Sequence, residues 1–492
     1  MLAQTLFFFI WLYWCMKYKR SIVWFRNDLR VHDHEALAKA LQHADEVIPV
    51  YCYDPGSYRK TPFNLEKTGS FRAKFINESV RDLKNNLQSK GADLVILNGH
   101  PEEVLVDFAE QHQVEAVYFS HEAASEELAV EKSLEKNSWA KGIATHGYWQ
   151  ATLFHLDDLP FPIPQLPEVF TAFRKACEKL SRVRPLFSTP DRITYPLSIE
   201  SGGEIPTLEE LGLENPDENE RSVLSFKGGE MQGLQRVAYY LWETDCIAKY
   251  KLTRNGLLGA DYSSKFSPWL SVGALSPRWV YLEIRKYEKE VEKNDSTYWL
   301  IFELIWRDYF RFICKKYGNK IFQLSGIQSE TVSWKQDEGA FKAWAAGLTG
   351  IPFIDANMRE LNQTGFMSNR GRQLVASFLT NDLQIDWRWG AAYFESKLID
   401  YDVCSNWGNW MYVAGVGNDP RKDRYFNILL QAKNYDKRGD YVRTWIPELS
   451  KLTGFDIHQP ETLSQKILNN KGVRLGEHYP LPIVSFENWS QI

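Results

Sequence analysis

Two regimes of hydrophobic patterning divide the chain. From Ser21 to about Gln150, short β-branched and aromatic runs, SIVWF (21–25), EVIPVYCYD (46–54), DLVIL (93–97) and AVYFS (116–120), alternate with amphipathic segments. Apolar runs of that length, bounded by polar residues, predict buried strands. Between the second and third runs Phe71, Phe75, Val80, Leu83 and Leu87 recur at helical spacing. Strand, helix and strand in repetition predict an α/β domain with a doubly wound parallel sheet. No GxGxxG and no GxxxxGKS or GxxxxGKT follows any of these strands, so the usual nucleotide phosphate cradle is absent here.

Beyond about residue 150 the alternation stops. Residues 151–225 are rich in Pro, Glu and short polar stretches such as LPFPIPQLPEVF and ENPDENE, the composition of a long connection with local helices. From about 226 onward helical patterns dominate, broken by Ser-Pro, Gly and Asn-Asp-Pro. The expected organisation is an α/β domain over 16–150, a connection over 151–225 and an all-α domain over 226–492. A chain of 492 residues is also longer than one hydrophobic core usually supports.

The first fifteen residues, MLAQTLFFFIWLYWC, form an apolar run with no basic residue before it. A membrane span needs about 20 apolar residues and a secretory signal needs a positive leading segment. Neither fits, and no membrane association is expected. Residues 1–15 read as an extension from a misassigned start or from expression, with the folded protein beginning near Met16. An organelle transit peptide is the weaker alternative, because arginine and serine are missing from the segment.

Composition changes the picture in three places. Hydrophobic and charged contents of 44% and 25% are ordinary, but 18 tryptophans are well above common usage and need an explanation. The net charge is −5, yet residues 226–445 carry 30 Lys and Arg against 25 Asp and Glu; a basic segment on an acidic protein points modestly to a polyanion, with uneven solvated faces as the plain alternative. Six cysteines with no CxxC suit reduced thiols, a cytoplasmic location and no metal site.

Candidate chemistry lies in the second half. LIDYDVCSNWGNWMY (398–412) mixes Asp400, Asp402 and Asn406 with Trp407, Trp410 and Tyr412, which neither a surface loop nor an ordinary core requires. A site with a polar rim and a flat face is implied. YSSKFSPWLSVGALSPRW (262–279) sets Ser263, Ser264, Lys265 and Ser267 before a proline. Ser267 as N-cap and Pro268 at the first helical position would aim free amides, hydroxyls and an ammonium at a pyrophosphate. Plain helix capping is the alternative, and Ser276 with Pro277 illustrates it. Asn369, Arg370 and Arg372 cluster in a helical stretch, where a buried arginine needs a carboxylate such as Asp400 or Asp402. No histidine lies between His155 and His458, which excludes imidazole acid–base, triad and histidine–metal chemistry from the part of the helical domain before His458. Reactivity there must come from a cofactor.

VWFRNDLRVHDHEAL (23–37), SSKFSPWLSVGALSPR (263–278), ELIWRDYFRF (303–312), GIPFIDANMRELNQTGFMSNRGRQLVASFL (350–379), LIDYDVCSNWGNWMY and AGVGNDPR (414–421) together resemble the photolyase/cryptochrome family. They stand in the family's order over the chain from Met16. SNWGNW and GVGNDPR are similar to the cryptochrome-DASH branch in particular.

The resemblance implies an all-α C-terminal domain holding a U-shaped FAD. Tyr250, Ser263, Ser264, Lys265, Phe266 and Ser267 match its phosphate and ribityl contacts, and Asn369, Arg372, Asp400, Asp402 and Asn406 the groups around the flavin ring. Asn406 would face flavin N5, and Arg372 with Asp400 would be a ring-flanking ion pair. Trp410, Trp387 and Trp334 match the family's electron relay from flavin to surface, against the usual reading of a large aromatic as core packing. Glu303 and Trp306 match positions that hydrogen-bond and stack on a flipped cyclobutane pyrimidine dimer.

Two positions depart from the classical repair enzymes: Gln373 replaces a Met and Tyr412 a Trp. A more polar pocket compensates less of the cost of flipping a dimer from a duplex, and single-stranded DNA removes much of that cost. The implied activity is light-dependent repair of such dimers, mainly in single-stranded DNA. Lack of histidine argues against six-four photoproducts. Arg370, Arg421, Lys422 and Arg424 are candidate DNA contacts. HEAASEELAVEK (121–132) resembles the segment that binds a 5,10-methenyltetrahydrofolate antenna, with Glu126 as candidate ligand. A monomer is expected. The rival implication is a blue-light photoreceptor or transcriptional regulator that binds nucleic acid without repair.

Overall fold

Five parallel strands, β1 (Tyr18–Phe25), β2 (Ala44–Tyr53), β3 (Val95–Asn98), β4 (Ala116–Ser120) and β5 (Ala144–Tyr148), lie in the order β3-β2-β1-β4-β5 in a computed structural model of the protein. The structure describes residues 17–199, 202–328, 332–419, 421, 425–485 and 489; the expectation for residues 1–15 falls outside them. Four strands coincide with the apolar runs, since a parallel strand covered on both faces must be apolar along its length. The fifth, ATHGY, has no such run. It is a half-buried edge strand whose register on β4 pairs Ala116 with Ala144 and Ser120 with Tyr148, so only tertiary pairing selects it.

Helices α1 (Glu35–His43), α2 (Ser70–Gln88), α3 (Pro101–Gln111) and α4 (Ser125–Ala140) cross over between the strands. Phe75, Val80, Leu83 and Leu87 form the buried stripe of α2, as their spacing predicts. The connection carries one substantial helix, α5 (Phe170–Leu180). Thereafter the described residues are helical: α6 (Glu230–Ala238), α7 (Tyr250–Thr253), α8 (Ser267–Ser271), α9 (Pro277–Glu290), α10 (Asp295–Tyr317), α11 (Glu338–Ala346), α12 (Pro352–Thr364), α13 (Asn369–Ser377), α14 (Trp387–Lys397), α15 (Val403–Val413) and shorter helices to Asn470. No helix among the described residues is long and apolar enough to cross a membrane.

Strand order reverses between β1 and β4, the crevice in which doubly wound sheets usually bind a ligand. Here protein fills it. Asp28, just past β1, accepts the Arg26 amide at 2.6 Å, Gln150 Nε2 at 3.1 Å and the Ser120 hydroxyl, and sits 3.0 Å from His34 Nε2. Burial alone would raise its carboxyl, but His34, Ser120 and the Arg26 amide hold it at about 2. The same loop docks on the helical half. Arg30 donates to the Gly273 carbonyl at 2.8 Å, and Arg278 grips the buried Asp33 with two bonds of 2.7 and 3.0 Å. Gly273 has φ +68, and a Cβ there would lie 2.0 Å from the Asn27 carbonyl oxygen, so only glycine permits this approach.

Candidate flavin site and lesion mouth

Helix α10 opens with a capping box between Asn294 and Thr297, which satisfies its first amides reciprocally. Trp299, Glu303, Trp306 and Phe310 then recur every three or four residues and share one face. Glu303 Oε1 accepts Trp299 Nε1 at 3.1 Å and also the Arg254 guanidinium. Burial raises this carboxyl and Arg254 opposes the rise. Both donors reach the same oxygen, leaving Oε2 for an incoming group. Trp306 lies edge-to-face with Tyr412, centroids 5.7 Å apart at 84°, so carboxylate, indole and phenol line two walls at a right angle.

Gln373 and Tyr412 are half-buried in α13 and α15. Arg370 donates to Asn255 Oδ1 at 3.2 Å and lies 4.9 and 5.8 Å from the Tyr435 and Phe426 ring centroids. Arg421 is exposed, with Asp419 3.5 Å away. Lys422 and Arg424 fall outside the described residues.

Deeper in, the polar groups meet. Arg372 donates to Asp400 Oδ2 at 2.9 Å and to the Met367 carbonyl at 2.9 Å. Ser267 Oγ donates to the same Asp400 oxygen at 2.6 Å. This corrects the capping expectation: the α8 N-cap is Phe266 and Ser267 is already helical, so its hydroxyl serves Asp400. With only five residues in α8, little dipole is available for a phosphate. Ser276 does cap α9, accepting the Trp279 amide.

The cation in this loop is Lys265. It is 3% exposed, at φ +57, with Nζ 3.3 Å from the Tyr262 ring centroid and 3.5 Å from Ser263 Oγ. Burial and the nearby Arg236 push its ammonium down to about 7. Among the described residues no carboxylate lies within ion-pair distance of it. Tyr262 Oη beside it, Glu360 Oε1, whose carboxyl acts on its charge, and, elsewhere in the helical half, Asp400 Oδ1 and Asn357 Oδ1 are buried without a hydrogen-bond partner. Buried polar groups are normally satisfied; the unpartnered oxygens call for donors and the Lys265 ammonium for an anion, and FAD bears both. Tyr250, Ser264 and Phe266 are buried in the same stretch. Asn369 is exposed at the first position of α13 and stands outside the buried set.

Asp402 takes another place. It receives the Arg311 guanidinium, whose other arm is 3.3 Å from Glu122, and it caps α15 through the Ser405 amide at 2.8 Å. Burial would raise its carboxyl, but Arg311 and Arg307 keep it below the usual range. One turn into α15, Asn406 Nδ2 donates to the Ala391 carbonyl at 3.0 Å. A carbonyl can only accept, which fixes the amide and leaves Oδ1 as an acceptor elsewhere.

Trp410 packs over Gly390, where a Cβ would lie 2.2 Å from the indole; Gly390 is one turn beyond Trp387 on α14. Trp387 is fully buried, its Nε1 donating to the Leu324 carbonyl at 3.1 Å. A bridge between Lys335 and Ile385 sets Trp334 beside the start of α14. Trp334 is half-buried, and its indole nitrogen has no partner. Burial thus falls from Trp410 and Trp387 to Trp334.

Glu126, at the start of α4, is 55% exposed at its side chain and paired with Arg59 at 3.1 Å and with Lys67. Burial acts to raise it, and the two cations bring it below its ordinary value. Glu127 beside it is half-buried, its carboxyl pushed up to about 7 by burial and by Glu122. Sequence reasoning missed Glu127, Arg254 and Trp299. Three cations around Tyr250 in KYKLTRN (249–255) were the one available signal, and it covers Arg254 alone.

Two family profiles match: the FAD binding domain of DNA photolyase over residues 299–492, and DNA photolyase over residues 21–191. Cryptochrome DASH of Gloeobacter violaceus is 51% identical over 95% of this chain and 94% of its own. Cryptochrome DASH of Xenopus laevis is 51% identical over 97% and 92%. The crystal structure of a Synechocystis cryptochrome superposes with a TM-score of 0.93 at 50% identity, covering 96% of this chain and 98% of that one. A class III photolyase from Agrobacterium tumefaciens gives 0.85 at 30% identity, covering 96% of each.

Proposed function

This chain belongs to the photolyase/cryptochrome family, in its cryptochrome-DASH branch, and we propose that it splits cyclobutane pyrimidine dimers in DNA under blue light, chiefly in single strands. Bound FAD in its reduced form supplies the electron that the dimer takes up on illumination and returns once its ring has opened. The protein binds, orients and tunes. Glu303 Oε2 accepts from a pyrimidine N–H while Arg254 and Trp299 hold Oε1 still. Trp306 and Tyr412 stack on the base faces, and Gln373 offers a polar contact where an apolar one would grip a duplex-flipped dimer more tightly. Arg370 and Arg421, with Lys422 and Arg424, contact phosphates.

Lys265, Ser263, Ser264 and Ser267 hold the FAD phosphates and ribityl chain with Tyr250 and Phe266. Arg372, Asp400 and Asn406 hold its ring, the exposed Asn369 standing outside that buried set, and Asp402 anchors the helix that presents Asn406. Trp410, Trp387 and Trp334 relay electrons from the surface to restore the reduced cofactor. A folate antenna at Glu126 completes the assignment. The domains are taken as 16–150 and 226–492 about a connection, in a monomer.

What supports this reading is Glu303 and Trp306 on one face of α10, Tyr412 perpendicular to Trp306, and one Glu303 oxygen left over by Arg254 and Trp299. The test is repair of a single thymine dimer in a single-stranded oligonucleotide by the photoreduced protein, lit against dark. Light-dependent restoration that Glu303→Ala abolishes supports the reading. FAD-loaded, reduced protein that splits no dimer overturns it. The graded burial of the three tryptophans favours a second reading, a photoreceptor whose photoreduction is the signal, and that second outcome selects it.

A further inference from the structure

Among the described residues, the ring pair with the shortest centroid distance involves a residue to which neither the motifs nor the proposed chemistry gives a task. Phe170 and Trp306 stack with centroids 3.6 Å apart and planes 11° from parallel. Phe170 is the first residue of α5, in the connection between the two domains. It is 6% exposed and packs edge-on against Phe302 at 5.2 Å and Tyr309 at 5.6 Å. A ring so enclosed covers the inward face of Trp306. The indole is only half-buried, and Tyr412 meets it at 84°.

From this geometry we propose that Phe170 is a positioning residue of the lesion mouth. It locks the Trp306 plane and occupies one of its two faces, so that the indole presents a single, pre-set face to one base of the dimer. The inference rests on the reading of Trp306 as a base-stacking residue.

A face that can rock or tilt stacks less well, because an aromatic partner must first be ordered. Helix α5 is in turn fixed beside the mouth. Arg174, one turn after Phe170, donates to Tyr298 Oη at 2.6 Å and lies 5.6 Å from the Phe302 centroid. Interdomain connection and substrate platform are therefore one packed unit, and the connection contributes to specificity rather than only to length.

The test compares the FAD-loaded full chain with Phe170→Leu, Phe170→Tyr and Trp306→Ala. Dark binding to a single-stranded oligonucleotide with one thymine dimer, and to the undamaged strand, is read by fluorescence anisotropy. The readout is the ratio of the two affinities, which a general loss of folded protein does not move. Phe170→Leu is expected to lower that ratio about three- to tenfold, the range of a lost aromatic pair, while Phe170→Tyr keeps it and undamaged-strand binding stays as in the wild type. If Phe170→Leu does not accumulate as FAD-loaded protein, Phe170→Met replaces it at similar volume. A wild-type ratio in the Leu or Met variant, beside a lowered one in Trp306→Ala, overturns the inference alone. An unchanged ratio in Trp306→Ala overturns it together with the reading beneath it.

Discussion

Arg254 and Trp299 both donate to Oε1 of Glu303, so the carboxylate presents its other oxygen to the mouth. Burial raises the Glu303 carboxyl and Arg254 limits the rise. An ionised carboxylate accepts from a pyrimidine N–H more strongly than a neutral carboxyl does, so dimer affinity should fall as pH drops through this raised value. In Arg254→Met the opposing charge is gone and the fall should begin at higher pH. Anisotropy titrations of the dimer-containing strand from pH 5 to 8 check both, and coincident profiles would remove Arg254 from the account.

Lys265 is a buried ammonium at about 7 with hydroxyls for neighbours. A phosphate group binds the protonated form, so reconstitution of the FAD-free protein takes up a proton near neutrality. FAD affinity should therefore weaken as pH rises through about 7. Lys265→Met should bind less FAD at pH 6 and lose this pH dependence. Equilibrium binding followed by flavin fluorescence gives the result.

Trp410 and Trp387 are buried while Trp334 is half-buried, the arrangement that an inward relay requires. Trp387→Phe should abolish photoreduction of oxidised, FAD-loaded protein by an external donor. Dimer repair by chemically pre-reduced protein should stay near wild type. Absorbance under blue light measures the first and a repair assay the second; loss of both would make Trp387 structural.

Asp33 and Arg278 form a bidentate, buried pair between the two domains. Removing one partner strands the other charge, at a cost of about 3–5 kcal/mol. Asp33→Ala should lower the unfolding midpoint strongly at unchanged FAD stoichiometry in the protein that remains folded. Denaturant unfolding of the purified variant is the measurement.

Of the expected flavin pocket, one ion pair was legible in the sequence. The need of an arginine for a carboxylate left Asp400 and Asp402 equally open; the resemblance named Asp400 for Arg372, and the structure joins those two at 2.9 Å. Ser267 read as a cap from local sequence, yet its hydroxyl goes to Asp400, a carboxylate in the turn between α14 and α15 that attracts the hydroxyl more strongly than a short helix's own amide. Asp402 had the same apparent credentials as Asp400. Arg311 and the Ser405 amide claim it instead, and nothing local distinguishes the two carboxylates.

By itself the sequence determined the fold class, the change from strand to helix patterning near residue 150 and the expectation of a cofactor, while the residues expected around that cofactor came from the family motifs. Backbone periodicity and side-chain chemistry are local properties, which is why they are legible without the fold. The tertiary structure alone decided that Phe170 lies on Trp306, that Arg254 reaches Glu303, that β5 closes the sheet edge, and that Lys265 is buried enough to titrate near neutrality. Each depends on segments distant in the chain meeting in space, and on the water excluded where they meet. A carboxylate's partner and a lysine's burial are properties of that assembled neighbourhood, not of the residues beside them in the chain.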